Sequence, residues 1–132
     1  MKYLVERYNL KKEFICKGEL EVEFEGQSTN LRYLDEQINI STSELYHPIA
    51  ALESLRKILE SKHQSILAIN GCRIDTTRRY NGWGGNYLME QKGKPATIPI
   101  NMFEPTTEIG KLGTIVEHEL SCKEWYDSFQ DK

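Results

Sequence analysis

Apolar residues recur along this chain at two periods, two in its first third and close to 3.6 in its middle, and the change predicts strands followed by a helix. The segments "KYLVERY", "EFIC" and "ELEVEF" read as strands. The third has the clearest pattern, with Leu20, Val22 and Phe24 alternating with Glu19, Glu21, Glu23 and Glu25 between Gly18 and Gly26. On a strand this spacing makes one face apolar and the other anionic. "QSTN" reads as a turn into "LRYLDEQINI", whose opening residues favour strand, and "STSELYHP" reads as polar, irregular chain. From Pro48, "PIAALESLRKILESK" sets Ile49, Leu52, Leu55, Ile58 and Leu59 on one stripe, with Glu53, Arg56, Lys57 and Glu60 on the other side. Proline suits the first turn of that helix because its missing N–H would have no partner there.

In "SILAINGCRID" two short β-capable runs flank Asn70-Gly71, the pair suited to a two-residue type I′ turn. A hairpin is expected, with one bent strand as the alternative. "TTRRYNGWGGNY" reads as a glycine-rich loop, "YLMEQ" and "ATIPI" as two further strands joined through "KGKP", and "NMFEPTTEIGKLG" as a connector. Two Ser/Thr-x-x-Glu capping boxes follow, Thr114 with Glu117 and Ser121 with Glu124. The second is expected to open a helix over 122–130 carrying Trp125, Tyr126 and Phe129, with "TIVEHE" as a preceding strand or turn. These elements predict one α+β domain over residues 1–132. Its mainly antiparallel β-sheet would pack with a long central helix and a short C-terminal helix, both covering the Leu20, Val22 and Phe24 face.

Composition narrows the class. With 39% apolar and 28% charged residues and no apolar run near membrane-spanning length, the chain reads as a globular protein with no membrane partner. Charge interrupts "MKYLVERYNLKK" where a signal peptide needs a continuous apolar stretch, so a cytoplasmic location is expected. The formal net charge of -3 argues against a nucleic-acid coat and fits a protein that meets basic partners. Cys16, Cys72 and Cys122 are odd in number and lack a CxxC pair, so they read as free buried or half-buried thiols.

No catalytic constellation emerges. His118-Glu119 begins like the zinc-peptidase HExxH motif, but Cys122 stands where the second histidine is needed. "NGWGG" lacks the spacing of a phosphate-binding loop. His47 is placed to cap the central helix and His63 to lie just beyond its end, near the negative pole of its dipole. Cys72 and Asp75 have no histidine brought to them by the sequence, and Arg73 and Asp75, two apart on one strand face, read as forming a lateral pair with each other or with neighbours. Arg78, Arg79, Tyr80 and Trp83 combine cations with stacking rings, as single-strand nucleic-acid binding does, but the patch is short within an acidic chain. The chain is therefore expected to be no enzyme, to hold no cofactor or metal, and to make no direct nucleic-acid contact. The alternative is a small nucleotide-binding domain or enzyme using the loop at 78–86.

The run "HPIAALESLRKILE", then "AINGCRID", "GWGGNYLM", "EIGKLGT" and the aromatic "EWYDSF" resembles bacterial immunity proteins. These are the antidotes encoded beside polymorphic toxins, including those of contact-dependent growth inhibition systems. The likeness spans residues 47–129, its most specific part being Asn-Gly followed by Arg and Asp after a His-Pro-led helix. This chain has "TTRRYNGWGG" where the family pattern has a Pro-Ser-Gly turn, and a longer spacing between Gly113-Thr114 and the closing aromatics. The resemblance implies a non-enzymatic protein that binds and neutralises the C-terminal domain of a cognate toxin, often a nuclease with a basic cleft. The residues that could meet such a cleft are Glu19, Glu21, Glu23 and Glu25. Their other reading is a solvated strand face that resists unwanted edge pairing.

Overall fold

The structure is a computed structural model and describes residues 1–77 and 86–130. The chain is α+β. Four strands, β1 (Lys2–Asn9), β2 (Phe14–Glu25), β3 (Ser28–Leu34) and β4 (Asn39–Leu45), form an antiparallel meander. Helix α1 (Pro48–His63) crosses one face and returns the chain to β5 (Ser65–Leu67), which pairs antiparallel with β1, giving the order β4-β3-β2-β1-β5. A second pair, β6 (Asn86–Leu88) with β7 (Ile98–Ile100), lies outside this sheet, and α2 (Ile115–Gln130) closes the described chain.

The α1 stripe is largely as its spacing predicts, with Ile49, Ala51, Leu52, Leu55 and Leu59 buried against β3, β4 and β5. Arg56 is the exception: it was expected on the solvent side and is only 3% exposed. The N-cap residue, His47, makes no side-chain capping bond, and His63 is the last residue of α1. Gln64 follows it in the left-handed region, donating its N–H to the Leu59 carbonyl.

Five other local readings change. "EFIC" and "ELEVEF" are one continuous strand, because Gly18 is a packing position and not a boundary. A Cβ there would lie 2.5 Å from the Tyr33 hydroxyl and 2.7 Å from the Leu34 carbonyl. The missing side chain makes room for the Tyr33 phenol. Gly18→Ala is therefore expected to destabilise the fold by ~1–3 kcal/mol through overpacking, as measured by urea unfolding. The reversal between β2 and β3 falls at Gly26 and Gln27, where Gly26 takes φ +59, and β3 starts inside "QSTN". "STSEL", expected to be irregular, forms most of the edge strand β4, held by pairing with β3.

The Asn70-Gly71 hairpin does not form. These residues begin a short 3-10 turn (Asn70–Cys72), and their N–H groups bond to the Glu104 and Met102 carbonyls of the connector. Tertiary partners more than thirty positions away outcompete the local turn preference. At the C-terminus the first capping box operates instead of the second. Thr114 N–H bonds Glu117 Oε1 at 2.9 Å and Glu117 N–H bonds Thr114 Oγ1 at 3.2 Å, so α2 starts at Ile115.

The core beneath the sheet includes Val5, Leu20, Val22, Leu31, Tyr33, Leu55 and Leu59. Phe24 does not join it; 56% exposed, it sits at the end of β2 beside the turn. Nor do both helices share that face, since α2 packs on α1 and on a small separate cluster of Met89, Cys122 and Trp125. Among the described residues no helix is long and apolar enough to cross a membrane.

Candidate functional site

Residues directly opposite in an antiparallel ladder point to the same face, so the strand register assembles the surface away from α1. One row runs Lys2, Glu21, Arg32, Ser41 across β1 to β4, and the next runs Leu4, Glu19, Leu34, Asn39. Glu6 stands opposite Lys17 on one flank; on the other Glu23 faces Asn30 and Glu25 faces Ser28. All four glutamates of the predicted ridge are on this face, Glu19 and Glu21 half-buried and Glu23 and Glu25 exposed.

Neighbours on adjacent strands offset the mutual repulsion of these carboxylates. Glu21 lies between Lys2 and Arg32 in the register, and Arg32 Nη2 is 3.6 Å from its Oε2. With both partners partly exposed, such a pair contributes at most about 1 kcal/mol. Asn30 Nδ2 donates to Glu25 Oε2 at 3.3 Å, and Ser43 Oγ donates to Asn30 Oδ1 at 2.5 Å. Between the β2 and β4 side chains runs an open groove of about 370 Å³ lined by Glu21, Glu23, Asn30, Arg32, Ser41 and Ser43. Glu19 is bracketed by Leu4 and Leu34, 79% and 37% exposed. The face thus offers carboxylates, hydroxyls and two apolar contacts on a pleated surface. The edge-guarding reading loses ground, because Glu19 and Glu21 lie where β2 is paired on both sides; only Glu23 and Glu25 extend past β1.

Two buried polar clusters were not legible as such in the sequence. In the first, Arg7 is 3% exposed on the core face and donates from Nε to Asp35 Oδ2 at 2.7 Å, from Nη1 to Ser65 Oγ at 2.9 Å and from Nη2 to Gln37 Oε1 at 2.6 Å. Asp35 Oδ2 also accepts from the Tyr33 hydroxyl at 2.7 Å and the Cys16 thiol at 3.0 Å, and Oδ1 accepts the Gln37 and Ile38 N–H groups. Burial pushes the Asp35 carboxyl up, but the bonds from Tyr33, Cys16 and Arg7 outweigh it and hold the group well below the usual carboxylate range. Burial and the bond to Asp35 raise the Cys16 thiol against the pull of Arg7. A thiol kept protonated is a poor nucleophile.

The second cluster joins α1 to α2. Arg56 Nη1 donates to the Gly71 carbonyl and to His118 Nδ1, both at 3.0 Å, and Nη2 donates to the Gly113 carbonyl at 3.1 Å. The HExxH fragment finds its explanation here: His118 and Cys122, one turn apart on α2, both direct their side chains at the Thr76 carbonyl oxygen. Cys72 is buried, and Asp75 is engaged by Arg73 through Nε at 2.8 Å and Nη2 at 2.7 Å, the lateral pair read in the sequence. Cys16, Cys72 and Cys122 form no disulfide with one another. Among the described residues no group of three or more His, Cys, Asp or Glu is placed to hold a metal ion. The loop carrying Arg78, Arg79, Tyr80 and Trp83 lies outside the described residues.

No family model, curated protein or solved structure matches the chain.

Proposed function

We propose that this is a non-enzymatic immunity protein that binds a cognate toxin C-terminal domain, a nuclease with a basic cleft, and neutralises it in the cytoplasm of the producing bacterium. The observation that carries the reading is the display of Glu19, Glu21, Glu23 and Glu25 on one open sheet face, beside a polar groove and two exposed leucines. A nuclease cleft is basic because it must hold phosphates, and an acidic face can occupy it and accelerate encounter. The sequence resemblance over residues 47–129 supports the same class, on residues separate from the ridge.

The test is a pull-down of the full chain against the product of the adjacent gene, together with protection of cells expressing that toxin. Lack of both association and protection would end the reading. For the face itself, Glu21→Lys combined with Glu23→Lys is expected to slow association roughly tenfold or more at low salt and to flatten its salt dependence. Unchanged affinity and salt dependence would place the contact elsewhere.

A further inference from the structure

We infer that β4 is a dimerisation edge, pairing antiparallel with β4 of a second copy about a two-fold axis through Thr42. The hydrogen bonds that bracket the β3–β4 ladder fix which way its backbone faces. Tyr46 N–H bonds the Gln27 carbonyl at 2.7 Å and Asp35 N–H bonds the Ile38 carbonyl at 3.0 Å, in the register that pairs Leu31 with Thr42. Hydrogen-bonded pairs alternate along an antiparallel ladder, so Ile40, Thr42 and Glu44 turn their N–H and C=O groups to β3, while Asn39, Ser41, Ser43 and Leu45 turn theirs outward. Among the described residues only the Leu45 carbonyl of that outward row has a backbone partner, the His47 N–H at 2.9 Å.

The far edge of the same sheet is closed. Beyond β5 the connector covers it: Thr106 N–H bonds the Ala68 carbonyl at 3.0 Å, and Ile69 bridges to Pro105. Strand β4 has no such cover among the described residues, and it lacks the usual guards of an edge. Its sequence NISTSEL holds no lysine, proline or glycine, and its register with β3 runs without a bulge. The side chains of Asn39, Ser41 and Ser43 are short, neutral and exposed.

In the two-fold register this edge complements itself. Ser41 lies opposite Ser43 of the second copy and Asn39 opposite its Leu45, each pair exchanging two hydrogen bonds. Just past each end Tyr46 faces Ile38 of the second copy. Tyr46 is 65% exposed and held at φ +71, a conformation that a bulky residue rarely takes, which sets an aromatic ring in water where the second strand would end. Glu44, the one charge on β4, comes opposite Ile40 and not opposite its own copy, and its Oε1 already accepts the Ser54 hydroxyl at 3.0 Å. That bond marks the flank of α1 nearest the edge. Ala50 and Ser54, one turn apart on it, are small enough for α1 of the second copy to lie alongside. Pairing leaves the β2 glutamates uncovered, so the dimer is compatible with the proposed function and does not depend on it.

Sedimentation equilibrium of the full chain is expected to give a mass twice the 15.4 kDa of one chain, with a Kd on the order of 1–100 μM for an edge with few side-chain anchors. Ser41→Pro removes an outward N–H and Ser43→Lys places a charge on the edge. Neither removes a backbone bond to β3, and together they are expected to raise Kd about tenfold or more. Circular dichroism checks that the double variant folds. If it does not, amide exchange in the unmodified chain decides: protection of the Ser41 and Ser43 N–H groups that grows as the chain dimerises supports the pairing. A dimer of unchanged Kd in the folded variant, or one that leaves those two amides unprotected, overturns it. So does a chain that stays monomeric up to about 1 mM, or one whose Ser41 and Ser43 amides gain protection only when the product of the adjacent gene is added.

Discussion

Arg56→Ala is expected to cost about 3–5 kcal/mol of folding stability, a fall in Tm of about 10–20 °C. Three buried acceptors depend on this one side chain: the Gly71 carbonyl before the connector crossing, the Gly113 carbonyl ahead of α2, and His118 Nδ1 on α2 itself. Truncation takes the Arg56 donor away from all three in a dry environment, and each group so left unsatisfied costs ~1–3 kcal/mol. Arg56→Lys retains the charge but not the fork, so it is expected to recover only part of the loss. Urea unfolding of the three proteins at pH 7 measures the series. A loss below about 1 kcal/mol for Arg56→Ala would mean that water reaches the three acceptors, and that the junction of the helices is held by apolar packing alone.

Arg56 also illustrates what local pattern can reveal. The amphipathic run from Pro48 predicts α1 because five apolar residues repeat at helical spacing, and that signal is contained within the segment. Arg56 looks like a solvent-side residue by the same rule; only the later arrival of Gly71, Gly113 and His118 makes its position a buried one. His118 in turn hides the true start of α2, because a polar residue interrupts the stripe formed by Ile115, Cys122 and Trp125. Asn70-Gly71 is a strong hairpin signal that loses to the Glu104 and Met102 carbonyls, partners invisible within the turn. Strand β4 shows the converse, with "STSEL" unpersuasive until β3 supplies its pairing.

The candidate face is the most legible feature, since a period of two puts the four glutamates on one side once the strand is granted. Their electrostatic setting is not legible. That Lys2 and Arg32 flank Glu21 is a matter of register between three strands, and register is fixed by the whole sheet and its turns. The acidic surface is therefore better balanced than the bare string of glutamates suggests. Under the proposed function, steering would rest on Glu23 and Glu25, which are exposed and whose opposite residues Asn30 and Ser28 carry no charge.

Asp35→Ala is the other large effect, about 3–5 kcal/mol at pH 7, because it strands Arg7 as an uncompensated buried cation while also freeing the Tyr33 hydroxyl and the Cys16 thiol. The pH dependence distinguishes this carboxylate from a merely well-packed side chain. Hydrogen bonds hold Asp35 in the folded state below its unfolded value near 3.9, so the folded chain resists protonation that the unfolded chain accepts. The stabilisation is complete above that unfolded value and is lost as pH falls below it toward the folded one. Asp35→Asn keeps the shape and removes the charge. Unfolding by urea at pH 7 and pH 3 is expected to show a wide gap between the native chain and Asp35→Asn at the higher pH and a narrower one at the lower. A gap of equal size at both would assign the role of Asp35 to the turn it makes with the Gln37 and Ile38 N–H groups, which the amide can partly reproduce, and not to its ion pair with Arg7.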